Sequence, residues 1–244
     1  MDEITENAVM DGRVRLRQPA RGYRAGADAA LLAAACDAPS GARVIEAGCG
    51  VGAALLAAAV RRPGVRFLGL ERDPAAAALA RENVTLNAVS DRVGIAEGDV
   101  ARGFAALGLP AFDAAIANPP FFDDETSLRG PAPERRGAWI ADDGLAAWTS
   151  FLLEAVRAGG TVTIVHRADR LGDLLTQLGE GGTQVRPVHP HADDPAKRVL
   201  VRAVKGGEGP LRTLPALVLH VRGGPKHTDE AEAILRGRAA LEWL

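Results

Sequence analysis

The sequence predicts an α/β chain with a doubly wound, mostly parallel sheet and antiparallel C-terminal strands, and three observations support this fold class. Short apolar segments alternate along the chain with Ala- and Leu-rich segments that favour helix. A glycine-rich turn, Gly48 to Gly52, joins the first apolar segment to the helical segment after it, as in sheets that bind ligands at the carboxyl ends of their strands. In the last third of the chain, strand-like segments follow one another with little helix between them, which favours antiparallel pairing.

The elements follow from the apolar runs and from residues that begin and end helices. Strands are predicted at 42–46, 65–70, 93–96, 112–117, 161–166, 185–189, 199–204 and 217–221. Helices are predicted over 25–38, 74–87 and 171–178. Three more are predicted from the glycine-rich turn to about 61, from Asp142 or Asp143 to the glycines at 159 and 160, and from 228 onwards. Asp73 followed by Pro74 is a strong start signal, because aspartate caps a first turn and proline suits the first helical position. Residues 1–40 are expected to form an arm and a helix that pack on the core of residues 41–244, without a second domain.

Composition and charge exclude several classes of protein. The 244 residues include two cysteines, Cys36 and Cys49, which are too few for a disulfide framework and lack the spacing of a zinc site, so no metal is expected. No apolar run reaches membrane-spanning length, and the acidic start Met1-Asp2-Glu3 is unlike a signal peptide, so the protein is expected in the cytoplasm. The formal net charge of −2 argues against a protein that coats nucleic acid through its overall field.

Basic residues are nevertheless concentrated in two stretches. Arg13, Arg15 and Arg17 follow one another with no acid between them, and as alternate residues of an extended segment they would share one face, which suits contact with RNA phosphates. Arg198 lies in a second basic stretch and is a further candidate for substrate contact. Such a run of charge is as often simply a solvated face, and both interpretations remain open at this point.

The glycine-rich turn is compatible with two cofactors. Gly48, Gly50 and Ala53 satisfy the dinucleotide fingerprint, and Glu71 follows at about the distance expected of a ribose contact, so NAD is possible on that pattern. A third glycine, Gly52, and further acids at the ends of neighbouring strands favour S-adenosylmethionine instead. This cofactor has no pyrophosphate to seat on a helix N-terminus; it presents an amino acid, a ribose diol and an adenine, for which acceptors matter more than the helix dipole.

Three acids match those parts of S-adenosylmethionine. Glu46, at the end of the first strand, would organise the turn and the methionine end of the cofactor. Glu71, after the second strand, would accept hydrogen bonds from both ribose hydroxyls, and Asp99, after the third, would accept from the adenine amino group. Simpler alternatives exist, since Glu71 could be an ordinary strand-end acid and Asp99 the N-cap of a helix.

The segment Asn118-Pro119-Pro120-Phe121 follows the fourth strand and forms a stiff turn, because proline fixes its own φ and restricts the residue before it. The turn would hold the Asn118 side-chain oxygen and the Pro119 carbonyl as two fixed acceptors for a planar NH2 group, with Phe121 stacking on the ring that carries this group. The simpler alternative is a strand that ends at a proline turn. Residues 123–138, rich in proline, glycine and charge, would form a lid or stay disordered.

With these motifs in place, the chain resembles the class I S-adenosylmethionine-dependent methyltransferases that carry an Asn-Pro-Pro-aromatic motif, over residues 41–166. It is similar in particular to the bacterial family that methylates adenine N6 in the anticodon loop of valine tRNA. The further segments that carry this similarity are Gln18-Pro19, Gly22-Tyr23-Arg24, Asp28-Ala29 with Leu31-Leu32, and Lys197-Arg198-Val199-Leu200. The resemblance implies a Rossmann-like sheet of seven strands and S-adenosylmethionine as the cofactor. It also implies an RNA partner, in particular a tRNA.

The resemblance also implies roles for single residues. Asn118, Pro119 and Phe121 would be catalytic, Asn118 would also border the cofactor, and Phe122 would contact the substrate. His166, which ends the fifth strand, is expected to be structural rather than catalytic.

The reaction implied is methyl transfer to an exocyclic amine, most directly adenine N6 in a tRNA. Two acceptors would orient the amine without a general base, because the product ammonium loses its proton readily afterwards. A glutamine side-chain amide in a protein and the N2 amine of guanine in ribosomal RNA present the same planar NH2 group, so both remain alternatives. A module that binds S-adenosylmethionine without catalysis is the alternative that is not an enzyme.

Overall fold

A large mixed sheet organises the protein, whose structure is a computed structural model that describes residues 3–21, 25–121 and 144–243. Within these residues, nine strands form this sheet and two form a separate hairpin. The strands are β1 Ile4–Val9, β2 Val14–Pro19, β3 Arg43–Ala47, β4 Arg66–Glu71, β5 Val93–Glu97, β6 Phe112–Ala117, β7 Val156–Arg167, β8 Gln184–His189, β9 Arg198–Val204, β10 Arg212–Thr213 and β11 Leu217–Val218. The α-helices are α1 Ala27–Ala35, α2 Ala53–Arg61, α3 Pro74–Leu86, α4 Leu145–Ala155, α5 Leu171–Leu178 and α6 Asp229–Leu235.

The large sheet is doubly wound. Its strands lie in the order β10-β8-β9-β7-β6-β3-β4-β5, with β11 alongside β8. The strands β3 to β7 run parallel, whereas β9 runs antiparallel to both β7 and β8. Glu46 of β3 is level with Gly69 in β4 and Ile116 in β6, so the carboxyl ends of these three strands meet at one edge. The winding reverses at β3, and ligands bind at such a point in sheets of this kind.

Helices cover both faces of the sheet. Leu31 of α1, Leu55 of α2 and Ile234 of α6 are buried in one core, and α1 packs against both of the other helices. Phe151 of α4 and Leu174 of α5 are buried in the second core, on the opposite face. Across the described residues, we find no helix that is both long enough and apolar enough to cross a membrane.

Most of the predicted elements are confirmed. The strands predicted at 42–46, 65–70, 93–96, 112–117, 185–189 and 199–204 each agree with the observed strand to within one residue at either end. Asp73 caps α3 by accepting a hydrogen bond from the Ala75 backbone N–H at 2.8 Å, and Thr228 caps α6. The doubly wound sheet with antiparallel strands near the carboxyl terminus is likewise confirmed.

Several element predictions are wrong in detail. The glycines at 159 and 160 do not end α4; they lie inside β7, where Gly159 N–H and Gly160 C=O bond to the backbone of Lys205 at 2.9 and 2.8 Å. The N-cap of α4 is Gly144, and the predicted caps at 142 and 143 lie outside the described residues. The strand predicted at 217–221 is only two residues long and pairs parallel with β8, because it continues along the edge that β10 already occupies. With β10 and β11 the sheet exceeds seven strands, and the hairpin β1-β2 was not predicted.

Candidate active site

The turn between β3 and α2 holds its three glycines in conformations that other residues avoid. Gly48, Gly50 and Gly52 have φ values of 64°, 54° and 88°. A Cβ atom at Gly48 would lie 2.3 Å from the Trp148 side chain of α4, whereas a Cβ atom at Gly50 would meet no atom of the described residues within 4 Å. Gly48 therefore lets the turn pack against α4, and Gly50 leaves its backbone open to a ligand.

Glu71 bonds directly to this turn. The side chain lies at the end of β4, and Glu71 is 9% exposed. Its carboxylate accepts hydrogen bonds from the backbone N–H groups of Gly50 at 2.8 Å and Asp73 at 2.9 Å. Since each carboxylate oxygen can accept a second bond, Glu71 can order the turn and still accept from a ligand hydroxyl. Its contact with ribose stays a prediction.

Glu46 is a buried acid with an unpartnered oxygen. It is 3% exposed, and its Oε2 atom has no hydrogen-bond partner within the part of the chain that the structure describes. Burial raises the pKa of Glu46 well above its ordinary value; a hydrogen bond from the Leu55 backbone N–H opposes this and the nearby Glu71 carboxylate adds to it. The contact of Glu46 with the methionine end of a cofactor stays a prediction.

Asp99 takes the simpler of its two predicted roles. Its Oδ1 atom accepts a hydrogen bond from the Ala101 backbone N–H at 3.0 Å and so begins a short 3-10 turn after β5. This bond occupies one oxygen of the carboxylate. The contact between Asp99 and an adenine amino group therefore stays a prediction.

The Asn-Pro-Pro-Phe segment begins at the same edge of the sheet as the glycine-rich turn. Ala117, the last residue of β6, is level with Ala47 of β3 on one side and with Ile164 of β7 on the other. Asn118 is half-buried and Pro119 is buried. The predicted clamp for an amine therefore lies between the predicted cofactor turn and the end of β7.

Phe121 contacts residues that the sequence places far from it. The Arg198 guanidinium lies over the Phe121 ring, 4.5 Å from its centroid, and the His166 ring meets it edge to face with centroids 5.2 Å apart. Arg198 also forms an ion pair with Asp28 of α1 at 3.0 Å. One face of the predicted stacking ring is thus covered, and the charge of Arg198 is compensated by Asp28 rather than left open to a phosphate.

His166, which was expected to be structural, lies beside Phe121. It is 1% exposed, and neither ring nitrogen has a hydrogen-bond partner among the described residues. Burial lowers the pKa of His166 to about 4, and the charges of Arg167 and Arg198 act in the same direction. The ring is therefore neutral at physiological pH and carries one N–H donor and one acceptor beside Phe121. The one sequence feature that could have indicated this contact is the position of His166 near the end of β7, the strand that pairs with β6.

His166 makes the stability of the fold dependent on pH. Because its pKa is about 4 in the folded state against 6.5 ordinarily, the unfolded chain takes up a proton first as the pH falls. The contribution of neutral His166 should be complete about one pH unit above 6.5 and be lost progressively as the pH falls to about 4, on the order of 3 kcal/mol in total. Urea unfolding across this pH range should give a shallower decline for His166→Gln than for wild type. Parallel declines would contradict the assignment.

The arginines of the N-terminal arm are paired within the hairpin. Arg15 and Arg17 of β2 both bond to Glu6 of β1, at 2.5 and 3.1 Å. Arg13 lies in the turn just before β2 and donates to the backbone carbonyls of Gly237 and Val60. This compensation could not be predicted from the sequence, because β1, the strand that carries Glu6, has no recognisable strand pattern. Contact of these arginines with RNA stays a prediction.

Two further predictions concern the substrate and metal ions. Phe122 and the loop 123–138 lie outside the described residues. Among the residues that the structure does describe, no group of three or more His, Cys, Asp or Glu side chains is placed to hold a metal ion.

Comparisons with known proteins find similarity to methyltransferases. Residues 25–129 match the family model of the methyltransferase small domain. The chain is 33% identical over 169 residues to the tRNA1(Val) (adenine(37)-N6)-methyltransferase of Porphyromonas gingivalis. This match covers 66% of each of the two chains. It is 29% identical over 158 residues to the release factor glutamine methyltransferase of Caulobacter vibrioides, covering 59% of this chain and 52% of that one. The match to the first relative spans slightly less than two thirds of that relative's length.

A solved structure extends the similarity to most of the chain. A predicted O-methyltransferase from Agrobacterium tumefaciens superposes with a TM-score of 0.74 at 28% identity, covering 88% of this chain and 98% of that one. Its fold confirms the Rossmann-like architecture implied by the sequence motifs. On its motifs, its sheet order and these matches, the chain is similar to the S-adenosylmethionine-dependent methyltransferases and shares their fold.

Proposed function

We propose that the protein transfers a methyl group to the exocyclic N6 amine of an adenine in a tRNA. The observation that carries the proposal is the place of Asn118-Pro119-Pro120 directly after β6, between the glycine-rich turn and the end of β7. A clamp for a planar amine there faces the edge of the sheet at which proteins of this fold bind their ligands. A tRNA substrate also implies that the protein works in the cytoplasm.

The residues around the glycine-rich turn fit S-adenosylmethionine. Glu46 supplies a buried oxygen without a partner, Glu71 retains capacity to accept, and Gly50 leaves the backbone accessible. When bound, S-adenosylmethionine supplies an electrophilic methyl group on a sulfonium. Asp99 would complete the set at the adenine end of the cofactor.

The chain's own contribution to catalysis is positioning. An exocyclic amine is a poor nucleophile because its lone pair is delocalised into the ring. The Asn118 side-chain oxygen and the Pro119 carbonyl would accept the two amine hydrogens and so favour a lone pair directed out of the ring plane. Proline fixes φ, which keeps both acceptors in place before the substrate arrives. The product ammonium is acidic enough to lose its proton to water, so no general base is needed.

Two observations favour a nucleic-acid base over a protein amide. Phe121 is backed by Arg198, which gives a rigid ring for stacking, and stacking of a base on an aromatic side chain is worth about 1 to 3 kcal/mol. Asp28 and Arg198 belong to two of the segments that resemble the tRNA-modifying family, and they pair beside this ring. A glutamine amide has no ring to stack, although the relative from Caulobacter vibrioides keeps protein glutamine as the second candidate substrate.

The substrate can be identified by one labelling experiment. The purified protein is incubated with methyl-labelled S-adenosylmethionine and, separately, with total tRNA, ribosomal RNA and release factors from cells that lack this gene. We expect label in N6-methyladenosine after nucleoside digestion of the tRNA fraction. Label in a glutamine side chain or in N2-methylguanosine would contradict the proposed substrate. Binding of S-adenosylhomocysteine without any transfer would instead favour a module that is not an enzyme.

A further inference from the structure

Two asparagines four residues apart, Asn83 in the last turns of α3 and Asn87 at its C-cap, close the free edge of β2. The Asn83 side chain accepts a hydrogen bond from the Arg17 backbone N–H and donates one to the Arg17 carbonyl, both at 2.8 Å. Asn87 repeats the arrangement with the backbone of Arg15, at 2.8 and 2.7 Å. Four residues of helix rise about 6 Å and two residues of strand about 6.6 Å, so the two side chains match alternate backbone groups of β2. They act in place of a neighbouring strand.

Asn83 differs from Asn87 in its third hydrogen bond. The second N–H of the Asn83 amide donates to the Val51 carbonyl at 2.9 Å, and Val51 lies in the glycine-rich turn between Gly50 and Gly52. The corresponding N–H of Asn87 donates to the Asn83 carbonyl within α3, at 2.7 Å. Asn83 is fully buried, whereas Asn87 is half-buried.

We propose that Asn83 is a positioning residue for S-adenosylmethionine, which acts through the Val51 carbonyl and links the cofactor turn to the hairpin β1-β2. The turn needs such a tether because Gly50 and Gly52, on either side of Val51, are the residues with the greatest backbone freedom. Both N–H groups and the oxygen of the Asn83 side chain are engaged, so the side chain cannot rotate without breaking three hydrogen bonds.

The link also works in the opposite direction. If Asn83 stabilises the turn in its ligand-binding conformation, then a ligand that orders the turn must stabilise the contact of Asn83 with Arg17 by the same amount. The hairpin, which lies outside the large sheet, thereby becomes sensitive to the cofactor.

Asn83→Ala and Asn87→Ala form a matched pair for testing this role. Both variants lose the bonds to β2, so both should lower the melting temperature. We expect Asn83→Ala to weaken S-adenosylhomocysteine binding, measured by calorimetry, by about fivefold to tenfold, as for the loss of one buried hydrogen bond. Asn87→Ala should stay within about twofold of wild type, because the bond to the turn is retained. Equal affinities in the two variants would overturn the role of Asn83.

A measurement on the wild type does not depend on how the variants fold. Amide hydrogen exchange followed by NMR, with and without S-adenosylhomocysteine, should show greater slowing at the Arg17 amide than at the Arg15 amide, since the first is bonded to Asn83 and the second to Asn87. Unchanged exchange at Arg17 on saturation would contradict the proposed link.

The inference rests on the cofactor and not on the identity of the methyl acceptor. A wild-type protein that fails to bind S-adenosylhomocysteine would overturn both the cofactor and the role of Asn83. Binding by the wild type with no difference between the two variants would overturn the role of Asn83 alone and leave the proposed reaction intact.

Discussion

Asn118→Ala is expected to lower the rate of methyl transfer by about a hundredfold to a thousandfold and to leave S-adenosylhomocysteine affinity within about twofold of wild type. The substitution removes one of the two acceptors that would hold the amine, while the Pro119 carbonyl and the rigid turn remain. The glycine-rich turn, with the bond from Gly50 N–H to Glu71, is not altered. Single-turnover rates at saturating cofactor, with calorimetry on the same preparations, measure both quantities.

Asn118→Asp serves as the conservative comparison. It keeps an acceptor oxygen in place of the amide oxygen and should therefore retain part of the activity that Asn118→Ala loses. Loss of cofactor binding in Asn118→Ala would assign Asn118 a structural part instead. Equal rates in wild type and Asn118→Ala would contradict the clamp.

The central sheet could be predicted because its signals are local in the sequence. The strands β3, β4 and β6 are short runs of largely buried, mostly apolar residues, and Asp73 with Pro74 marks the start of α3. The hairpin β1-β2 could not be found in this way. Nearly every residue of β1 is exposed, so the strand has no alternation of apolar and polar side chains to reveal it.

The site residues that belong to one sequence motif could be predicted. The contacts between segments that are far apart in the sequence could not. The glycine-rich turn and Glu71 are 21 residues apart and belong to one recognisable pattern. Asp28 and Arg198 are separated by 170 residues, and no periodicity or spacing shows that they pair. His166 has the same difficulty, since a single histidine at a strand end gives no sign of being buried against Phe121.

Glu71→Ala is expected to weaken S-adenosylhomocysteine binding by at least about a hundredfold, because it removes a carboxylate that would accept two charge-assisted hydrogen bonds from ribose and that also bonds to Gly50 N–H. Glu97→Ala is the matched control. Glu97 lies beside Glu71 in the sheet register and carries the same charge, but its side chain is 48% exposed and pairs with Arg81. Its loss should change affinity by less than about twofold.

The two contributions of Glu71 can be separated with a cofactor analogue, since loss of affinity alone does not distinguish a ribose contact from ordering of the turn. The 2′,3′-dideoxy analogue of S-adenosylhomocysteine lacks both hydroxyls. If Glu71 accepts from them, the wild type should prefer the natural compound by at least about tenfold, and Glu71→Ala should remove that preference. Equal discrimination by both proteins would mean that Glu71 acts through Gly50 alone. Tight binding of NAD with no response to S-adenosylhomocysteine would overturn the cofactor itself, because Glu71 would then serve the dinucleotide pattern that the same turn satisfies.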